Sequence, residues 1–141
     1  MHALRNIHAA LVPGGLIIDT QPVSLYAPVE TPSGRLGELD TREWARLIEA
    51  VDDQVEVTLR AGLFNVQAQR QLVVADWWSN GAEAIDRLKN WTGTRIDEAL
   101  AERVAAEPGE VRVSQDVRLR VYIKPSRPRA STAVRRLRRR G

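Results

Sequence analysis

The chain has 141 residues, 43% hydrophobic and 28% charged, which is the size and composition of one globular domain. It has no cysteine, which excludes disulfides, thiolate metal ligands and a cysteine nucleophile, and which fits a reducing cytoplasm. No apolar run approaches the roughly 18 residues that a membrane span needs, and the amino-terminal segment has a helical pattern unlike that of a signal peptide.

The charge is distributed unevenly along the chain. Residues 127–141 hold seven arginines and no acidic residue, and the preceding residues hold 14 basic and 18 acidic groups, a net charge of −4. We therefore expect a basic, disordered tail at 126–141 on an acidic body. A nucleic-acid-binding domain usually carries its basic stripe within the fold, so only the tail is a candidate for contacting nucleic acid or an acidic partner.

The first predicted elements are a helix and a strand. Apolar residues at helical spacing predict a helix over residues 1–11, which Pro13-Gly14-Gly15 ends. The unbroken apolar run at 16–18 predicts a strand over 16–23 that is covered on both faces, as in parallel sheets. Residues 24–38 are rich in proline and glycine and predict a long loop.

A second helix and a second strand follow. Apolar residues at helical spacing form one stripe over 44–59, with Asp40 as the expected cap and Gly62 at the expected end. The charged residues between them are expected to form a solvated helix face. Alternation over 64–74 predicts a strand with one apolar side, in which Arg70 marks either a bulge or an exposed part.

Two short helices and a regular strand complete the pattern. Asn80 with Glu83 predicts the start of one helix, and Thr94 with Asp97 predicts the start of the next. Residues 111–123 are apolar at odd positions and polar at even ones, which predicts a strand with one buried and one wet face. Helices and strands that alternate in this way predict an α/β fold with helices packed on a mixed sheet. The last two strands are expected to be half-buried, which fits a mixed or an antiparallel edge.

The order of these segments resembles the second half of the class I S-adenosylmethionine-dependent methyltransferases. Residues 3–22, ALRNIHAALVPGGLIIDTQP, resemble the helix, the Pro-Gly-Gly turn and the fifth strand of that family. Residues 40–62 resemble the next helix, and residues 63–78 resemble the sixth strand. Residues 110–123 resemble the seventh strand, which in the family runs antiparallel between the fifth and the sixth. The helices at 81–107 resemble an insertion that some members have.

This resemblance covers residues 1–125 and implies a partial Rossmann-like methyltransferase sheet, made of the last three strands and flanking helices. In that family S-adenosylmethionine binds to the first half of the fold, through a GxGxG turn after the first strand. This chain has no GxGxG motif, and its only double glycine, Gly14-Gly15, follows a helix. No catalytic or cofactor-binding residue can be carried over, so we expect this chain alone to bind no cofactor.

The resemblance also bears on partners. In the complete fold the strand at 16–23 is interior, whereas here one of its edges would be bare and apolar, and such edges recruit other strands. We therefore expect one of three situations. The reading frame is truncated at an internal methionine, or this strand pairs with a separate amino-terminal half, or the chain dimerises or rearranges to cover the edge. No membrane partner is expected.

Five residues are candidates for the substrate side of such a fold: Asp19, Tyr26, Trp77, Trp78 and Trp91. Asp19 ends the first strand, where ligands bind in open α/β sheets. The adjacent tryptophans end the next strand, and the loop at 24–38 with the helices at 81–107 would cover the same edge as a lid. The plainer alternatives are an aspartate that caps a loop and aromatic rings that pack in a core. His2 and His8 do not share a helix face, so no metal site is expected.

The sequence thus predicts a truncated methyltransferase-like protein that lacks the cofactor-binding half, is inactive alone and contributes a substrate-side wall and lid. The alternative is a non-catalytic interaction module. Such a module would pair through an exposed strand edge and use the basic tail for nucleic acid or acidic partners. The methyl acceptor is not predicted, because the residues that position it belong mostly to the first half of the family fold.

Overall fold

The computed structural model of the protein describes residues 2–126, so the predicted tail from residue 127 onward lies outside the described residues. Helices and strands follow one another along this part of the chain. In chain order they are α1 (His2–Ala10), β1 (Leu16–Pro22), β2 (Tyr26–Thr31), β3 (Gly34–Asp40), α2 (Arg42–Arg60), β4 (Asn65–Trp78), α3 (Gly81–Leu88), α4 (Glu98–Ala105) and β5 (Val111–Ile123).

The last strand, β5, lies at the centre of the sheet. On one side β4 pairs with it along its whole length. On the other side β1 pairs with residues 117–123, β2 pairs with Arg112 and Val113, and β3 pairs with the far side of β2. The prediction that the last strand runs antiparallel between the strands at 16–22 and 65–78 is therefore confirmed.

Two predictions about the sheet are wrong. Every strand pairing within residues 2–126 is antiparallel, whereas a mixed sheet was expected. The reason is that β1, β2 and β4 run in one direction and each pairs with β5, which runs in the other, while β3 pairs only with β2. Residues 24–38 also form most of a hairpin instead of a loop, since β2 and β3 pair around a turn at Pro32-Ser33. Gly34 completes that turn with a φ of +139°, a conformation that favours glycine.

One hydrophobic core joins the hairpin and the pair α3 and α4 to the first half of β5. Its fully buried members include Val29, Leu39, Leu100, Val104 and Val113. Odd-numbered residues of β5 point to this face of the sheet. The predicted loop region and the predicted helical insertion therefore do pack together over one end of the sheet.

A second core lies on the opposite face, under α1 and α2. Val55, Phe64 and Tyr122 form it, and Ile17 and Leu59 are among the half-buried residues that pack against them. Only part of the α2 apolar stripe is covered, because Leu47 and Val51 remain nearly half exposed.

The first of these two cores, which joins the hairpin to α3, α4 and the first half of β5, is called the hairpin core below. On the face of the sheet that carries it, the remaining part of the sheet is open to solvent. Ile18 is 67% exposed and Leu16 is 50% exposed, so the prediction of a strand covered on both faces is wrong for β1. Residues 65–74 of β4 are also exposed, although one apolar side was expected to be buried. The cause is that α3 and α4 reach only the first half of β5, and no other described element lies over the second half.

Candidate functional site

A cleft of about 470 Å³ opens at the carboxyl end of β1, and we call it the polar cleft. Its lining residues come from β1, the start of α2, the carboxyl end of β4, the 90–94 segment and β5; they are Pro22, Thr41, Trp44, Asp76, Asn90, Trp91, Thr92, Thr94 and Gln115. Two indole rings thus meet hydroxyl, amide and carboxylate groups in one concave surface. Pockets of this kind are the usual places for small ligands.

The chain holds the walls of this cleft together through Trp44. Its indole Nε1 donates to the Pro22 carbonyl at 3.1 Å, and its backbone N donates to the Gly93 carbonyl at 3.1 Å. Gly93 has a φ of +66°, and a Cβ there would lie 2.7 Å from the Trp44 backbone nitrogen. Glycine at 93 therefore allows the 90–94 segment to close against α2.

The lining of the polar cleft combines one carboxylate with neutral polar groups. Asp76 supplies a carboxylate, and Asn90 and Gln115 supply amides. No lysine, arginine or histidine is among the residues that line the cleft. A polar neutral or cationic ligand, flanked by Trp44 and Trp91, fits this set of groups.

Trp78 and Trp91 are the two predicted site residues that the structure brings together. Their ring centroids lie 6.0 Å apart at an interplanar angle of 56°, and both rings pack partly buried against the hairpin core. Trp91 also lines the polar cleft, whereas Trp78 does not. One face of Trp91 thus belongs to the core and another to the cleft.

Trp77 lies on the opposite face of the sheet from Trp78, because neighbouring residues of a strand point in opposite directions. It is 54% exposed, and the Arg112 guanidinium lies 5.2 Å from its ring centroid. Arg112 is in turn ion-paired with Glu30. Trp77 is therefore part of a separate surface cluster.

Tyr26 is also separate from the polar cleft. It is 44% exposed, and the Arg42 guanidinium lies 5.5 Å from its ring centroid. The Arg42 guanidinium binds the Asp40 carboxylate through two bonds, Nε to Oδ1 at 3.0 Å and Nη2 to Oδ2 at 2.6 Å, and the Arg42 backbone N also donates to Oδ1 at 3.0 Å. The hydrogen bonds from Arg42 lower the pKa of Asp40 to about 2.

Asp19 lies in the middle of β1 and not at its end, because the strand continues to Pro22. Its Oδ1 accepts a hydrogen bond from Gln21 Nε2 at 2.8 Å. The residue that reaches the polar cleft at the end of β1 is Pro22. Asp19 instead lines a second concavity, on the side of α1 and α2.

That second concavity is an apolar groove of about 590 Å³ between α1, β1 and α2. Ile7, Leu47 and Val51 are among its apolar lining residues, and Asp19 and Gln54 are among its polar ones. Both Ile17 and Ile18 line it although they point to opposite faces of the sheet, so the groove reaches the free edge of β1. In residues 2–126, β1 pairs with β5 alone.

A half-buried charge cluster links α2 to β5, and the sequence did not reveal it. Asp52 receives two hydrogen bonds of 2.7 Å from Arg118 and one of 3.0 Å from Arg120. The three side chains are only 15–29% exposed. The even-numbered row of β5 was expected to be wet, and it is instead covered here by α2.

Comparison with known proteins identifies no family for this chain, so its function has to be argued from the geometry described above. No protein-family model matches the chain, and no curated protein matches it significantly. None of the helices in residues 2–126 combines the length and apolar character that crossing a membrane requires.

Proposed function

We propose that this chain is the acceptor-side part of a class I methyltransferase-like domain, and that it docks a cofactor-binding part through β1. The free edge of β1 next to the apolar groove is the observation that carries this proposal. A strand added at that edge would extend the sheet, and apolar side chains that accompany it would fill the groove. The antiparallel position of β5 between β1 and β4 supports it too, since the resemblance implies that order.

The position of the polar cleft supports this role. It lies at the carboxyl end of β1, where a partner strand parallel to β1 would bring its own carboxyl end. Trp44 and Trp91 would flank the methyl acceptor, and Asp76 would accept a hydrogen bond from it. S-adenosylmethionine would be held by the docked part, because this chain has no GxGxG turn.

Calorimetry with S-adenosylmethionine tests the division of roles. We expect no saturable binding to this chain alone. A separate polypeptide with the first half of the class I fold, including a strand followed by GxGxG, should form a one-to-one complex with this chain. That complex, and neither part alone, should bind the cofactor.

Two variants make the test specific to β1. Ile18→Lys places a charge on the free edge and should prevent the complex, whereas Arg103→Glu on the exposed side of α4 should leave it intact. Micromolar cofactor binding by this chain alone would contradict the proposal. So would failure of the two polypeptides to form a complex.

A non-catalytic interaction module is the second candidate. The uncovered edges of β1 and β4 favour it, because an unpaired strand edge can dock a partner strand. Under this alternative, partners would dock on β1, but no complex would bind S-adenosylmethionine. The same calorimetry on the assembled complex therefore separates the two functions.

A further inference from the structure

β4 presents a second unpaired edge, which is independent of the proposed methyl-transfer role. The strand spans 14 residues, and within the described part of the chain it pairs with β5 only. The register shift lies near its start, between Val66 and Ala68, so the rest of the strand is regular. Its outer backbone N–H and C=O groups are therefore available over a long, regular stretch.

The side chains of this edge lack the features that keep edge strands apart. Val73 is 74% exposed, and Leu72 and Val74 are 46% and 45% exposed. The strand contains no proline and no lysine, and its two charged residues, Arg70 and Asp76, have opposite signs. Natural edge strands usually carry lysine, proline or several charges where pairing must be avoided.

We propose that β4 pairs antiparallel with β4 of a second copy of this chain, around a two-fold axis at Val73. The axis is perpendicular to the sheet, so each face of one copy continues into the same face of the other. In this register Val73 faces Val73 of the second copy, and Leu72 faces Val74. Apolar pairs of this kind stabilise neighbouring strands.

Charge complementarity selects this register. With the axis at Val73, Arg70 lies directly opposite Asp76 of the second copy, and the symmetry forms this pair twice. A shift of the axis to Leu72 would place Arg70 opposite Val74 and would leave Asp76 opposite Ala68. The central register therefore satisfies both charges of the strand and covers its exposed apolar residues.

β1 is less suited to pairing with its own copy. An axis at the middle of this strand would place two Asp19 carboxylates opposite each other, and like charges in that arrangement are destabilising. Pro22 also removes one backbone donor from the β1 edge. The structure thus assigns self-association to β4 and leaves β1 for a different partner.

Pairing through β4 also changes the polar cleft. Asp76 lines that cleft, so Arg70 of the second copy would reach its rim. The dimer would therefore add a cation to a cleft whose own lining has none.

Charge exchange tests the interface. Light scattering coupled to gel filtration should show the full chain as a dimer at micromolar concentration, and both Arg70→Asp and Asp76→Arg should shift it to the monomer. The double variant, Arg70→Asp with Asp76→Arg, should restore the dimer because the pair is re-formed with its signs exchanged. Arg103→Asp, on the exposed side of α4, is the matched control and should remain dimeric.

Introduced thiols test the register, because the chain has no cysteine of its own. Residues directly opposite in an antiparallel pair have Cα atoms about 4.5–5.5 Å apart, which falls within the roughly 4.4–6.8 Å that a disulfide spans. Val73→Cys should therefore form a cross-linked dimer on mild oxidation. Val74→Cys should not, because its equivalent lies diagonally, about 7–8 Å away.

Circular dichroism of each variant verifies that the fold is retained, and all the changed positions are exposed. A wild-type chain that is monomeric would overturn the proposal. A dimer that Ile18→Lys abolishes and Arg70→Asp leaves intact would overturn it as well, since the pairing would then use β1. Equal cross-linking of Val73→Cys and Val74→Cys would exclude the register.

Discussion

Gly81 shows how one residue fixes the position of the helix pair. Its backbone N donates to the Glu107 carbonyl at 2.9 Å, and a Cβ at this position would lie 1.6 Å from the Val104 carbonyl oxygen. That neighbour is backbone and cannot rotate away. The contact between the start of α3 and the end of α4 therefore requires glycine.

We expect Gly81→Ala to lower the free energy of unfolding by about 3 kcal/mol or more, since it overpacks a buried backbone contact. Gly109→Ala is the matched control, because the nearest atom to its Cβ would be a side-chain oxygen at 3.5 Å. Urea unfolding of the two variants measures the difference. Equal stability of the two variants would show that α3 and α4 do not pack this closely.

The Asp40–Arg42 pair predicts a measurable titration. Arg42→Ala should raise the pKa of Asp40 from about 2 toward its ordinary value of 3.8, because the hydrogen bonds from Arg42 favour the carboxylate. The folded-state pKa is lowered, so the pair contributes stability above pH 3.8, and this contribution is lost as the pH falls through about 2.

Carboxyl NMR titration of Asp40 provides the measurement. Arg46→Ala is the control, since Arg46 lies in the same exposed cluster but makes no hydrogen bond to Asp40. An unchanged Asp40 titration in Arg42→Ala would mean that the bidentate contact does not persist in solution.

At the scale of elements, β5 is divided into two environments by what covers it. Its odd-numbered residues are buried under α3 and α4 near Val113, and its even-numbered residues are covered by α2 near Arg118. One strand thus supports two cores on opposite faces. Asp52 is the connection from α2 to the second half of the strand.

Asp52→Ala should destabilise the protein by roughly 1–3 kcal/mol, because the half-buried Arg118 guanidinium loses its carboxylate partner while Arg120 retains its hydrogen bond to Gln69. Asp53→Ala changes the adjacent, exposed aspartate and should have an effect within about 0.5 kcal/mol. Thermal unfolding of both variants measures the two changes in stability. A small effect of Asp52→Ala would indicate that water replaces the carboxylate.

Short-range capping patterns located the starts of the helices to within a few residues. The strand patterns did not predict which face of each strand is covered. Asn80 caps α3 by accepting from the Glu83 backbone, as the short-range pattern predicted. Thr94 with Asp97 was expected to start α4, but the helix begins three residues later, with Asp97 itself as the N-cap that accepts from the Leu100 backbone. Asp40 was expected to cap α2, and its Oδ1 does accept a hydrogen bond of 3.0 Å from the Arg42 backbone N, although the N-cap position is one residue later, at Thr41. Which row of β5 is buried depends on where α2 crosses the sheet, and a strand pattern does not encode that crossing.

The candidate site was predictable only in part, because it too depends on contacts between elements that are distant in sequence. Trp91 was identified as an aromatic wall, and it lines the polar cleft. Asp76 and Gln115 were missed because each is an ordinary polar residue near a strand end. They become neighbours only when β4 and β5 pair.

At the scale of the whole molecule, much apolar surface of the described chain is uncovered. We expect Ile18→Thr to change the free energy of unfolding of the isolated chain by less than about 0.5 kcal/mol, because this side chain is already 67% exposed. Leu39→Ala, at a fully buried position, should cost about 2–5 kcal/mol. Chemical denaturation compares the two, and a large loss in Ile18→Thr would mean that the isolated chain already covers β1.

The central position of β5 has a consequence for how the chain folds during synthesis. Its register joins Leu16 to Ile123, and β4 and β2 also depend on it for pairing. Until the ribosome has released residues 111–123, β1 and β4 have no strand between them, and their apolar residues stay open to chaperones or aggregation.

Because most strand contacts are distant in sequence, we expect slow refolding. Ribosome-bound chains that end before residue 111 should remain protease-sensitive, and protection of β1 in such chains would contradict this order of folding.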